Sequence, residues 1–145
     1  MVSQARSAAP FARGRAAAYD GRQVPDPRTI VLVEDDEGIR ETMGALLADE
    51  GFHVVEAANG EEGLAALRAA QDPCLVLLDL WMPVMNGWQM LDAMRDDPAL
   101  QRVPVLVISA AGDLPPPAGA SAFLRKPIRL ETLLANVEQF RLRAS

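Results

Sequence analysis

The sequence predicts an α/β protein, a doubly wound parallel sheet of five strands with helices on both faces. Three observations lead there. Short, wholly apolar runs alternate with segments of helical period, as expected of strands buried on both faces. The connections are short, so each strand–helix unit returns to a parallel neighbour. Polar residues stand directly after the runs, at the strand ends where open α/β sheets bind their ligands.

Ile30-Val31-Leu32-Val33 is the first run and stops at Glu34-Asp35-Asp36. Ile39, Met43, Leu46 and Leu47 then form one helical stripe, with Asp36 as N-cap and Gly51 as stop. Phe52–Val55 is a weaker second strand, and Asn59-Gly60 leads into a helix of about ten residues with acids in its first turn. Cys74–Leu78 is the third strand and stops at Asp79. The loop from Leu80 to Gly87 opens a helix from Trp88 to Asp96. Val103–Ile108 is the fourth strand, with Pro104 near its start, where a missing N–H is tolerated. Ala122–Leu124 is a short fifth strand. The last helix carries Leu130, Leu133, Leu134, Val137 and Phe140 on one face.

Composition bounds the rest. The 145 residues suit one domain, and half are hydrophobic. No apolar run approaches the roughly 18–20 residues of a membrane span, nor is there a signal-peptide core. One cysteine, Cys74, excludes an internal disulfide framework and any multi-cysteine zinc site. A reducing, cytoplasmic setting is the default expectation. Residues 1–29 are net +3, rich in Ala, Arg and Pro and without period, and read as a disordered tail. Residues 30–145 form the folded domain and are net −9, which argues against nucleic acid as a partner. Thirteen Arg accompany a single Lys, Lys126.

The strand ends carry the chemistry. Glu34 and Asp35 follow the first strand, Asp79 the third, Ser109 the fourth, and Lys126-Pro127 the fifth. Each alone is ordinary: acids favour a helix N-terminus, and an Asp or a Lys-Pro after a strand can be a plain turn. Together they bring three carboxylates, a hydroxyl and an amine to one edge. Three neighbouring carboxylates raise one another's pKa unless a cation sits among them, and oxygen ligands suit Mg²⁺. Asp79 is placed to attack a phosphoryl group and form an acyl phosphate. Mg²⁺, an ammonium and a hydroxyl would then surround the phosphoryl oxygens. A lysine in a chain that otherwise uses arginine suits a narrow phosphate site, because ammonium is compact and guanidinium is a wide fork.

This constellation resembles the receiver domain of bacterial two-component response regulators. The residues that carry the likeness are Val33-Glu34-Asp35-Asp36, the stretch Leu77-Leu78-Asp79-Leu80-Trp81-Met82-Pro83-Val84-Met85-Asn86-Gly87, Val107-Ile108-Ser109-Ala110, and Gly119 through Lys126-Pro127. The resemblance implies a flavodoxin-like strand order, 2-1-3-4-5. It makes Asp79 the phosphoacceptor, charged by a sensor histidine kinase or a histidine phosphotransfer protein. Asp35, Glu34, Asp79 and the backbone carbonyl of Trp81 become the Mg²⁺ site. Ser109 and Phe123 become the switch pair, and Lys126 the partner of the phosphoryl oxygens. The Lys126-Pro127 peptide is expected to be cis.

The chain departs from the family pattern between Ser109 and Phe123. Pro115-Pro116-Pro117 and two glycines cannot form an ordinary helix, so a fourth helix, between the fourth and fifth strands, is expected to be missing or reduced to one turn. A stiff surface bridge is expected in its place. A monomer is expected too, since half of the family's usual dimer face is lost. Trp81 is uncommon at its position. His53 and Cys74 are expected to lie away from the chemistry, and Trp88, Met82, Met85, Met90 and Met94 to pack. The chain ends two residues after Arg143, so a receiver standing alone and acting on an unknown downstream protein is expected. The alternative is a phosphorylation-independent receiver that serves only as an interaction surface. A haloacid-dehalogenase-like phosphatase would need a second Asp where Trp81 stands. A nucleotide-binding module would need a Gly-rich loop where Glu34 and Asp35 stand.

Overall fold

The computed structural model describes residues 28–110 and 117–144. The tail over residues 1–27 and the prolines Pro115 and Pro116 lie outside the described residues. Five strands and four helices follow in the order β1 (Thr29–Val33), α1 (Glu37–Asp49), β2 (His53–Ala57), α2 (Gly60–Ala69), β3 (Pro73–Asp79), α3 (Gly87–Arg95), β4 (Val105–Ser109), β5 (Ala122–Arg125) and α4 (Leu130–Ala144). All strand pairs are parallel, and the order is β2-β1-β3-β4-β5, the doubly wound arrangement the sequence predicts. The direction of winding reverses between β1 and β3, which opens a crevice at their carboxyl ends.

The strands separate two apolar cores. Val31, Val33, Val76, Leu78, Val105 and Val107 face α2 and α3, where Leu64, Leu67, Met90, Leu91 and Met94 meet them. Ile30, Leu32, Leu75, Leu77, Leu106 and Ile108 face α1 and α4, and meet Met43, Leu47, Leu133, Val137 and Phe140. Alternate residues of one strand thus enter opposite cores, which is why the runs are wholly apolar. Met82, Met85 and Trp88 pack, partly buried, on the α2–α3 side.

Local chemistry sets the helix ends. Asp36 caps α1 by accepting the Ile39 N–H at 2.9 Å, and Gly51 leaves that helix with φ +99°. Asn59 caps α2. Asn86 and Gln89 exchange side-chain and backbone bonds as a capping box on α3.

Several expectations shift. Thr29 belongs to β1, paired with His53 and Pro73, so the sheet begins one residue before the expected boundary. Pro104 lies just outside β4 and only its carbonyl is used, accepting the Val76 N–H at 2.9 Å. Ile39 and Leu130 are exposed, although both fit their helices' apolar period. Each lies in a first turn. Between β4 and β5 no helix is found among the described residues, and Pro117–Ala120 make a turn closed by an Ala120 N–H to Pro117 carbonyl bond of 3.2 Å. None of the described helices is long and apolar enough to cross a membrane.

Candidate functional site

The crevice between β1 and β3 brings together four of the residues singled out in the sequence, Glu34, Asp35, Asp79 and Lys126. Asp79 is the last residue of β3 and only 7% exposed. Glu34, just past β1, is buried, and Asp35 beside it is exposed. One carboxylate oxygen from each of Glu34, Asp35 and Asp79 lies within 4.8 Å of the others. Ser109 ends β4, fully buried, one residue beyond Ile108, the register partner of Asp79.

Lys126 reaches in from the turn after β5. Its backbone N–H donates to the Ser109 carbonyl at 2.9 Å, and the Lys126-Pro127 peptide is cis as expected. The ammonium donates to Glu34 Oε1 at 2.9 Å and stands 3.9 Å from Asp79 Oδ1. Its close partner is therefore Glu34, a choice that residue order alone does not reveal. Burial would lower the Lys126 pKa, but the bond to Glu34 and the charges of Asp79 and Asp35 outweigh it and hold the ammonium above its ordinary 10.5. Asp79 moves up to about 6. Burial raises it most and Glu34 next, Lys126 opposes them, and Asp35 adds to the rise. The crevice thus holds more negative charge than one ammonium balances. Clustered hard oxygens with that imbalance fit a small divalent cation.

Other expected residues fall as follows. Phe123 lies on β5 opposite Val107, half-buried against the α2–α3 core. His53 is exposed at the start of β2, the end of the sheet away from Asp79. Cys74 is buried on β3. Trp81 is 57% exposed, and its ring meets that of Trp88 edge-on, centroids 4.7 Å apart. Sequence reasoning passed over Arg40, whose Nη1 donates to the Glu34 carbonyl at 2.8 Å. A basic residue in a helix's first turn, against the dipole, was the available signal.

Gly87 shapes the loop that follows Asp79. Its N–H donates to the Leu80 carbonyl at 2.9 Å, and a Cβ there would lie 2.6 Å from the Asp79 carbonyl oxygen and 2.8 Å from Leu80 Cα. Both are backbone atoms, one of Asp79 and one of the residue that follows it, so neither can yield without moving Asp79. Gly87→Ala is expected to cost about 1–3 kcal/mol and to displace Asp79. Urea unfolding checks the first effect and phosphoryl uptake the second; an unchanged midpoint would show that the loop gives way harmlessly.

Comparison with known proteins agrees with the geometry. The family model described as the response regulator receiver domain matches residues 30–138. The chain is 36% identical over 121 residues to response regulator Rre1 of Synechocystis sp., covering 77% of this chain and 52% of that protein. It is 37% identical over 121 residues to the transcriptional activator protein PfeR of Pseudomonas aeruginosa, covering 79% and 38%. The solved chemotaxis response regulator CheY4 of Vibrio cholerae superposes with a TM-score of 0.70 at 29% identity, covering 79% of this chain and 98% of that one. The receiver domain of hybrid histidine kinase CckA superposes with a TM-score of 0.65 at 34% identity, covering 77% and 97%. The parallel fold and the strand-end carboxylates thus define a two-component signalling module. The chain belongs to the response regulator receiver family. It spans about half the length, or less, of the curated relatives it matches.

Proposed function

We propose that the chain is a phosphoacceptor switch. Asp79 takes a phosphoryl group from a phosphohistidine on a sensor histidine kinase or a histidine phosphotransfer protein. The charged form then binds a downstream protein differently. The observation that supports this most is the meeting of three carboxylates and Lys126 at the β1–β3 crevice.

In the transfer an Asp79 oxygen attacks phosphorus, the phosphorus–nitrogen bond breaks, and the imidazole leaves and takes up a proton. Above a pKa of about 6 the attacking carboxylate is ionised at neutral pH. Glu34, Asp35, Asp79 and the carbonyl of Trp81 would hold Mg²⁺, which when bound neutralises charge on the phosphoryl oxygens. Lys126 would exchange Glu34 for a phosphoryl oxygen. The Ser109 hydroxyl would turn to donate to another, and Phe123 would follow it inward. The protein acts on its own aspartate and turns over no separate substrate. A cytoplasmic, monomeric protein fits this role. The net −9 body favours protein over nucleic acid as its target.

Incubation with acetyl phosphate and Mg²⁺ is expected to add one phosphoryl group by intact mass, labile to base and hydroxylamine. EDTA is expected to suppress it. No mass increase with either acetyl phosphate or a phosphohistidine donor would favour the interaction-only receiver.

A further inference from the structure

Arg40 stands in the first turn of α1, where a cation works against the helix dipole. Its side chain is only 17% exposed, so solvation does not account for it either. Its guanidinium makes two contacts. Nη1 donates to the backbone carbonyl of Glu34 at 2.8 Å, and Nε lies 3.5 Å from Glu56 Oε1. Glu56 sits on β2 beside Ala57, whose carbonyl accepts the Glu34 N–H at 3.0 Å. The strand β2 therefore grips both backbone groups of Glu34, one directly and one through Arg40. The carboxylate is held as well, Oε2 by the Asp36 N–H at 3.1 Å and Oε1 by Lys126. The Glu34 carbonyl and the Asp35 N–H share one rigid peptide plane. Fixing that oxygen fixes the direction in which the chain presents Asp35.

We propose that Arg40, braced by Glu56, is a positioning residue: it locks the Glu34–Asp35 peptide plane and holds the acidic pair in place for a divalent cation. The inference rests on the metal-dependent reading of the crevice.

Mg²⁺ titration of the full chain, by tryptophan fluorescence and calorimetry, tests it. Arg40→Ala is expected to weaken Mg²⁺ about tenfold or more, as loss of a group supporting metal ligands does. At saturating Mg²⁺ its phosphoryl uptake is expected to recover the wild-type rate, so the defect lies in the metal concentration required. Arg40→Lys should be intermediate, because a single point donor replaces the two nitrogens, Nη1 and Nε, that the fork aims separately at the Glu34 carbonyl and Glu56. Arg40→Ala with Glu56→Ala should be no worse than Arg40→Ala alone, since the two act as a unit. Unchanged Mg²⁺ affinity in Arg40→Ala, or additive losses in the double variant, overturns the proposal. Should Arg40→Ala fail to fold by circular dichroism, unchanged affinity in both Arg40→Lys and Glu56→Gln overturns it instead. A wild-type chain that binds no Mg²⁺ overturns the metal-dependent reading and this inference together. Wild-type binding with unaffected variants overturns the inference alone.

Discussion

Asp79→Asn is expected to abolish phosphoryl uptake and, in the same molecule, to stabilise the metal-free fold at neutral pH. The first effect follows from chemistry: an amide cannot attack phosphorus as a carboxylate does. The second follows from electrostatics. Burial and Glu34 push Asp79 from an ordinary 3.8 up to about 6. Between those values the folded state binds the proton more tightly than the unfolded one, so stability falls as pH rises through the window. Above pH 6 the full penalty applies, on the order of 3 kcal/mol. Asparagine has the shape without the charge. Its advantage should be about 0.5 kcal/mol at pH 4 and reach about 2–3 kcal/mol at pH 8. Urea unfolding in EDTA at both pH values measures it. An equal gap at both would mean that the charge of Asp79 is not what destabilises the site.

Lys126→Ala is expected to have the opposite sign. It leaves Glu34, buried, beside Asp79 and Asp35 without the ammonium at 2.9 Å. Breaking a buried pair by removing one member costs about 3–5 kcal/mol. Lys126 keeps a fifth of its surface in water (21%), so about 3 kcal/mol at pH 7 is the expected loss. That support is present below pH 10.5 and is lost only as pH rises through the still higher folded value. Lys126→Arg keeps the charge and is expected to recover most of the stability, yet to fail in switching, because its fork cannot take the place of a point donor. Beryllofluoride, a mimic of the phosphoryl group on Asp79, separates the two. A spectroscopic response of wild-type size in Lys126→Arg would show that charge alone suffices. A Lys126→Ala midpoint close to wild type would show that Glu34 needs no partner.

The parts legible in the sequence share a physical cause. Strands buried on both faces must be apolar throughout, so Ile30–Val33 and Cys74–Leu78 stand out, and the first charged residue marks each end. The carboxylates of the crevice are those same end markers. Edge strands are less visible: β2 and β5 are partly exposed, and β2 runs two residues past its expected end. Helical period overreached at Ile39 and Leu130, because first turns can project past the sheet. The partner of Lys126 could not be read at all, because three carboxylates stand within its reach and only tertiary geometry chooses Glu34. Arg40 is harder to read for a similar reason: a cation near the start of α1 is unusual, but its target is a backbone carbonyl, which residue pattern does not name.

The sheet that divides the two cores would also partition mechanical signals. Phe123 lies on the α2–α3 side, whereas its neighbours Ala122 and Leu124 pack with α1 and α4. Interiors this dense transmit displacement through contact. Any movement of Phe123 therefore presses first on the compartment of Leu91 and Met90, while α4, the next helix in the chain, is insulated by the strand backbone. Sequence neighbours on β5 would then report different events. Probes placed on α3 and α4 should respond to activation with unequal amplitude, and the larger response should come from the helix more distant in sequence.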